Sequence, residues 1–99
     1  MEMRKRIEFI LEKPFLERLI ALLDEMETPG YTVIPAKAGR GRQDPWTREG
    51  MVTDAGRQII VVSFAEAGLA EKIAQRAAEK LGNRIALISL TDAAVYLPD

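Results

Sequence analysis

The hydrophobic period of this chain switches twice from two residues to 3.6, and that repeated switch constrains its fold more than any other feature. Over residues 6–12 the side chains alternate, with Ile7, Phe9 and Leu11 on one side and Arg6, Glu8, Ile10 and Glu12 on the other, which is the pattern of a strand. Pro14 then stands where a first helical turn accepts proline, and Phe15, Leu16, Leu19, Ile20, Leu22, Leu23 and Met26 recur at helical spacing. Thr28-Pro29-Gly30 stops that helix. Residues 31–38 are rich in β-formers and predict a second strand. Pro35 within it cannot donate to a ladder, so the strand belongs at a sheet edge. The second cycle opens with residues 58–64, QIIVVSF, a continuous apolar strand expected to be covered on both faces. A helix over 67–81 follows, with Leu69, Ile73, Ala74, Ala77 and Leu81 inward and Gly82 as its left-handed cap. Residues 85–90 predict a fourth strand, and 95–97 an extension of the sheet beyond Thr91-Asp92.

The resulting order, βαββαβ, predicts an α+β fold of the ferredoxin-like type, two helices covering one face of a four-stranded antiparallel sheet. With 99 residues and no linker or low-complexity segment, the chain is expected to be one domain over 1–99. The other sheet face is then bare. Ile10, Ile34, part of the run 59–62 and either Leu87 or Ile88 must point away from the helices, and leaving them wet forfeits a few kcal/mol at about 25 cal/mol per Å². A symmetric homo-oligomer packed through its sheets is the expected remedy.

Between the two cycles lies a connection far longer than the usual 4–6 residues or so, and such loops are generally functional or disordered. Residues 36–58 carry four of the seven glycines, the only Trp, and Lys37, Arg40, Arg42, Arg48 and Arg57. Glycine lets a ligand approach the backbone, and arginine forks suit phosphate or carboxylate, so the segment reads as an anion-binding loop. A solvated hairpin tip is the alternative. Trp46 is either a local packing residue against Pro45 or an anchor for a partner protein, Trp and Arg being enriched at such contacts. Asp44, Glu49 and Asp54 are spaced irregularly and read as solvated charges rather than a metal cluster. No dinucleotide fingerprint follows, because the glycines do not open a helix, and no Gly-Lys-Ser/Thr is present. The absence of Cys and His removes thiol chemistry and imidazole catalysis. A net charge of −1 and central strands of Ile59, Ile60, Val61 and Val62, without aromatics for base stacking, argue against nucleic acid.

The run GYTVIPAKAGRGRQ at 30–43, set in this order of elements, resembles the PII signalling proteins, especially the short PII-like group related to carbon-uptake regulators. The most specific part is Gly39-Arg40-Gly41-Arg42-Gln43, similar to a Gly-Phe-Gly-Arg-Gln motif at the base of the family's T-loop, with Arg40 in place of Phe. The resemblance implies a homotrimer binding an adenine nucleotide between subunits, through Thr32, Gly39, Arg40, Gly41, Arg42 and Gln43 and, from the neighbouring chain, Gly82, Asn83 and Arg84. In the family the glutamine also helps hold magnesium and 2-oxoglutarate beside ATP. Here the usual Gly-Asp-Gly-Lys phosphate loop is reduced to Gly82-Asn83-Arg84, and the Arg-x-Arg-Thr-Gly segment is replaced by the ending Val95-Tyr96-Leu97-Pro98-Asp99. AMP, ADP or cyclic AMP is therefore expected ahead of ATP, with bicarbonate a further candidate because relatives of the short type respond to it. The T-loop-like segment, about 39–57, would regulate a membrane transporter or an enzyme, with Trp46, Arg48 and Glu49 as contacts. No catalytic or metal-binding residue is assigned. The alternative is a small oligomeric enzyme of the same fold, or an anion-binding module without nucleotide sensing. The charged start and the lack of an apolar run near the roughly 20 residues that span a bilayer predict a cytoplasmic protein without membrane insertion.

Overall fold

The computed structural model describes residues 1–40, 45–47 and 57–98. The chain runs β1 (Glu2–Glu12), a 3₁₀ turn (Lys13–Phe15), α1 (Leu16–Glu25), β2 (Tyr31–Pro35), β3 (Ala38–Arg40), β4 (Pro45–Thr47), β5 (Gln58–Ala65), α2 (Ala67–Leu81), a second 3₁₀ turn (Gly82–Arg84) and β6 (Ile85–Val95). Four strands form one antiparallel sheet in the order β2-β5-β1-β6. This is the ferredoxin-like arrangement predicted from the two periodic cycles, and β2 lies at an edge, as Pro35 requires.

The core forms where the alternating strand faces meet the two helix stripes. Ile7, Phe9 and Leu11 of β1 and Ile59, Val61 and Ala65 of β5 are buried against Leu19, Leu22 and Leu23 of α1 and Ala70, Ile73, Ala77 and Leu81 of α2. Small residues at Ala70 and Ala77 let α2 lie close to the sheet. Leu69 and Ala74, read as inward, are only half-buried at the margins of that stripe. Ser63 is the one buried polar residue of the described core, and its hydroxyl is placed to donate to the carbonyl of Gly30 (2.7 Å) or of Pro29 (3.1 Å). It thereby ties the α1–β2 turn to the central strand.

Several boundaries differ from expectation for identifiable reasons. α1 is closed before Pro29: Glu27 N–H bonds to the Asp24 carbonyl and Thr28 N–H to that of Leu23, a Schellman closure with Glu27 at positive φ (54°) where glycine is usual. Gly82 has positive φ (55°) as a cap should, but its ψ of −131° is not left-handed helical, and the chain passes into the 3₁₀ turn. β6 does not break at Thr91-Asp92; it pairs with β1 from Ile85 to Val95, so β1 also starts earlier than read, at Glu2. Continuity there is favoured by Lys5 Nζ bonding Asp92 Oδ1 at 2.6 Å across the strands. Strand 31–38 stops at Pro35, and Ala38 instead begins a separate two-stranded ribbon, β3 with β4.

The face away from the helices carries Ile10, Ile34, Ile60, Val62, Phe64 and Leu87, with Ile34, Phe64 and Leu87 43–48% exposed. Among the described residues β5 is therefore covered on its helix side only, where two-faced cover was expected. Ile88 pairs with Phe9 and packs on the core, which leaves Leu87 as the outward residue of that pair.

Candidate functional site

The strand register gathers the ends of the long connection at one end of the sheet. β1 finishes with Glu12 opposite Gln58, and β2 finishes with Pro35 opposite Ile59. Two backbone hydrogen bonds close the neck, Lys13 N–H to the Arg57 carbonyl (2.8 Å) and Ala36 N–H to the Gln58 carbonyl (3.1 Å). From this neck the β3–β4 ribbon projects, pairing Ala38 with Thr47, Gly39 with Trp46 and Arg40 with Pro45. Residues of the long connection thus begin as paired backbone, although Gly39 and Pro45 are poor strand formers.

Lys13, Lys37 and Arg57 adjoin the neck, and Arg84 lies at the same sheet end, just before β6. Four cationic residues and the carboxylate of Glu12 thus stand at this sheet end. Lys13 carries no motif signal in the sequence; only the pairing of Glu12 with Gln58 brings it beside the connection. A register shift between Ile10 and Leu11 marks a bulge where β6 starts, next to Gly82–Arg84, a place where bulges commonly re-aim the chain.

The expected site residues are only partly brought together. Gly39 lies in the ribbon, and Thr32 is exposed on the bare sheet face opposite Val62. Gly82, Asn83 and Arg84 are exposed at the same sheet end but beyond the opposite edge strand. Three interstrand spacings separate those edges, about 14 Å. Among the described residues, Thr32 and the turn at 82–84 are thus on opposite edges of the sheet. For Arg40 and Trp46 only the backbone is described, and Gly41, Arg42, Gln43, Arg48 and Glu49, together with Asp44 and Asp54, lie outside the described residues. Among the described residues no group of His, Cys, Asp or Glu is arranged to hold a metal ion.

Two titratable groups are perturbed away from this end. The Lys5 ammonium is raised above its usual range by its hydrogen bond to Asp92 and by the charges of Asp92 and Glu71. The Tyr31 phenol is raised by partial burial and then by Asp24, whose carboxylate accepts its hydrogen bond at 3.2 Å.

Comparison with known proteins places this geometry. No curated protein matches the chain by sequence. Among solved structures, CPII of Thiomonas intermedia K12, a nitrogen regulatory PII-like protein bound to ADP, AMP and bicarbonate, superposes with a TM-score of 0.82 at 20% identity, covering 95% of this chain and 89% of that one. Its apo form gives 0.73 at 20% identity, covering 98% and 96%. A chain from Thermus thermophilus described as a PII-like signaling protein gives 0.73 at 21%, covering 94% and 91%. The sequence model of nitrogen regulatory protein P-II matches residues 4–98, both strand–helix–strand halves with the connection between them, and the chain belongs to that family.

Proposed function

We propose that the protein is a PII-like signal-transduction regulator that binds an adenine nucleotide between the subunits of a cytoplasmic homotrimer. The segment at about 39–57 would then carry that signal to a partner, a transporter or an enzyme. The observation that supports this best is the split site: Gly39 follows the β2 edge strand and Gly82–Arg84 precede the opposite edge strand, both at the neck end, while Thr32 lies farther back along β2 opposite Val62. Neighbouring copies packed through their bare faces would bring one chain's β2 edge beside the next chain's β6 edge. In this reading Arg42 and Arg84 hold phosphate, backbone N–H groups of Gly39, Arg40 and Gly41 cradle it, and Gln43, Gly82, Asn83 and Thr32 complete the nucleotide contacts. CPII binds ADP, AMP and bicarbonate, and the same ligands are the first candidates here. Among the described residues no helix is long and apolar enough to cross a membrane.

A nucleotide shifts the segment only by binding its conformations unequally. Trp46 lies directly across the ribbon from Gly39 at the backbone level, so engagement of the glycines changes the setting of the sole tryptophan, with Trp46, Arg48 and Glu49 then offered to or withdrawn from the partner. Calorimetry with AMP, ADP, ATP and cyclic AMP, each with and without bicarbonate, tests the reading. Saturable binding without consumption of nucleotide, accompanied by a change in Trp46 emission, is the expected result. No binding of any of the four refutes it, and steady turnover of ATP shows an enzyme instead.

A further inference from the structure

The helix side of the molecule, which copies packed through their bare faces leave open, carries a cavity of about 280 Å³ between α1 and α2. Arg18, Ala21, Leu22 and Glu25 line it from α1, and Lys80 and Leu81 from α2. The four α1 residues are spaced i, i+3, i+4 and i+7, so they share one face of that helix. Ala21 creates the space, because its short side chain stands between two long charged ones, and the buried Leu22 and Leu81 form the floor. α1 starts and α2 ends at the neck end of the sheet, so the two helices run antiparallel, and Lys80 in the last turn of α2 lies toward Arg18. The cavity therefore has a cationic end, an anionic end at Glu25 and an apolar stretch between them.

These charges are available to a ligand. Arg18, Glu25 and Lys80 take no part in the ion pairs or side-chain hydrogen bonds of the described residues, and Glu79, the acidic neighbour of Lys80, pairs with Arg76 instead. A cavity near the small end of the usual 300–1,000 Å³ or so, apolar with a few polar groups, has the composition of a small-molecule pocket. The spacing of the charges narrows the class. Seven residues of helix set Arg18 and Glu25 about 10 Å apart at the backbone. A simple carboxylate held by Arg18 and Lys80 would lay its hydrocarbon tail against the Glu25 carboxylate and strip it of water, and a simple amine held by Glu25 would do the same to the two cations. An α-amino acid carries both charges on one carbon and does not span the two ends. A linear molecule with its ammonium and carboxylate at opposite tips satisfies both and lays its methylenes on the apolar floor.

We propose that this cavity binds a linear ω-amino carboxylate, its carboxylate on Arg18 and Lys80, its ammonium on Glu25 and its chain on Ala21, Leu22 and Leu81. A chain of about four to six carbons matches the span of about 10 Å once the side chains reach inward. None of these residues is assigned to the nucleotide, so this site stands or falls independently of the proposed function. The test is a nuclear magnetic resonance titration of the full-length, assembled protein with 5-aminopentanoate, pentanoate and pentylamine, which share the hydrocarbon and differ in charge. 5-Aminopentanoate should saturate with shifts centred on Ala21, Leu22 and Leu81, and each single-charge analogue should bind about tenfold more weakly or worse, the loss of one charge-assisted hydrogen bond. Glu25→Gln, a change at an exposed side chain without a partner, should weaken 5-aminopentanoate about tenfold while pentanoate binds no worse. Ala21→Trp, also at an exposed position, should fill the cavity and abolish binding. Absence of saturation by 4-aminobutanoate, 5-aminopentanoate and 6-aminohexanoate at millimolar concentration overturns the proposal. So does pentanoate binding as tightly as 5-aminopentanoate, or a folded Ala21→Trp variant that still binds.

Discussion

Leu87→Glu places a carboxylate on the sheet face that the helices leave bare, directly across from Ile10. Fully burying one large aliphatic or aromatic side chain contributes about 1.5–3 kcal/mol. Ile34, Phe64 and Leu87 retain 43–48% of their exposure, so covering all three contributes about half of that value each, or about 2–4 kcal/mol per chain. The glutamate removes the share of Leu87 and adds the cost of an unpaired charge taken out of water, several kcal/mol, which exceeds what the remaining two side chains supply. Leu87 makes no part of the helix-side core, so the fold itself should be kept. Light scattering coupled to gel filtration should show about three chains for the parent and one for the variant at micromolar concentration, with unchanged far-ultraviolet circular dichroism. A variant that remains trimeric would refute the assignment of this face to the interface.

Two further outcomes follow from single side chains. Ser63→Ala removes the bond to the α1–β2 turn; because Pro29 and Gly30 are exposed, water can replace it at their carbonyls, and the loss should be about 1 kcal/mol in chemical denaturation at fixed protein concentration, with a parent-like midpoint contradicting this. Tyr31, its phenol raised in the folded state by burial and by Asp24, contributes stability that is complete below the ordinary tyrosine range and lost as pH rises through its folded value. Lys5 acts in the same direction through Asp92, so stability should fall above about pH 10. Absorbance titration of the parent against Tyr31→Phe should show the Tyr31 component ionising later than a free tyrosine, and an ordinary titration would contradict the contact.

Where a segment's own period and punctuation agreed with its surroundings, the sequence was sufficient. α2 spans Ala67–Leu81 as its apolar stripe and Gly82 indicate, and Pro35 marks an edge strand because a missing donor is a local fact. The bare face was legible for the same reason, since alternation fixes which residues of β1 and β5 oppose the core. What escaped depends on partners distant in sequence. Asp92 looks like a turn residue until Lys5 lies beside it, and Glu27 looks unfit for a positive φ until the Schellman bonds form around it. The pairing of Ala38–Arg40 with Pro45–Thr47, and the place of Lys13 beside the neck, are set by strand register. Of the expected site, the motif at 39–43 and the turn at 82–84 were visible as residue types, while the position of Gly82–Arg84 at the edge opposite β2 required the strand order.

That separation makes a nucleotide held between chains the central claim, and subunit exchange tests it most directly. Arg42→Ala and Arg84→Ala should each weaken nucleotide binding about ten- to a hundredfold, as expected for a lost charge-assisted hydrogen bond. Co-refolding the two variants in equal amounts forms mixed assemblies in which some interfaces join an intact Arg42 from one chain to an intact Arg84 from the next. Calorimetry on the mixture should therefore recover a fraction of sites with the parent affinity. A mixture that binds no better than the average of its two components would show that both arginines serve the same chain, or that neither holds the nucleotide.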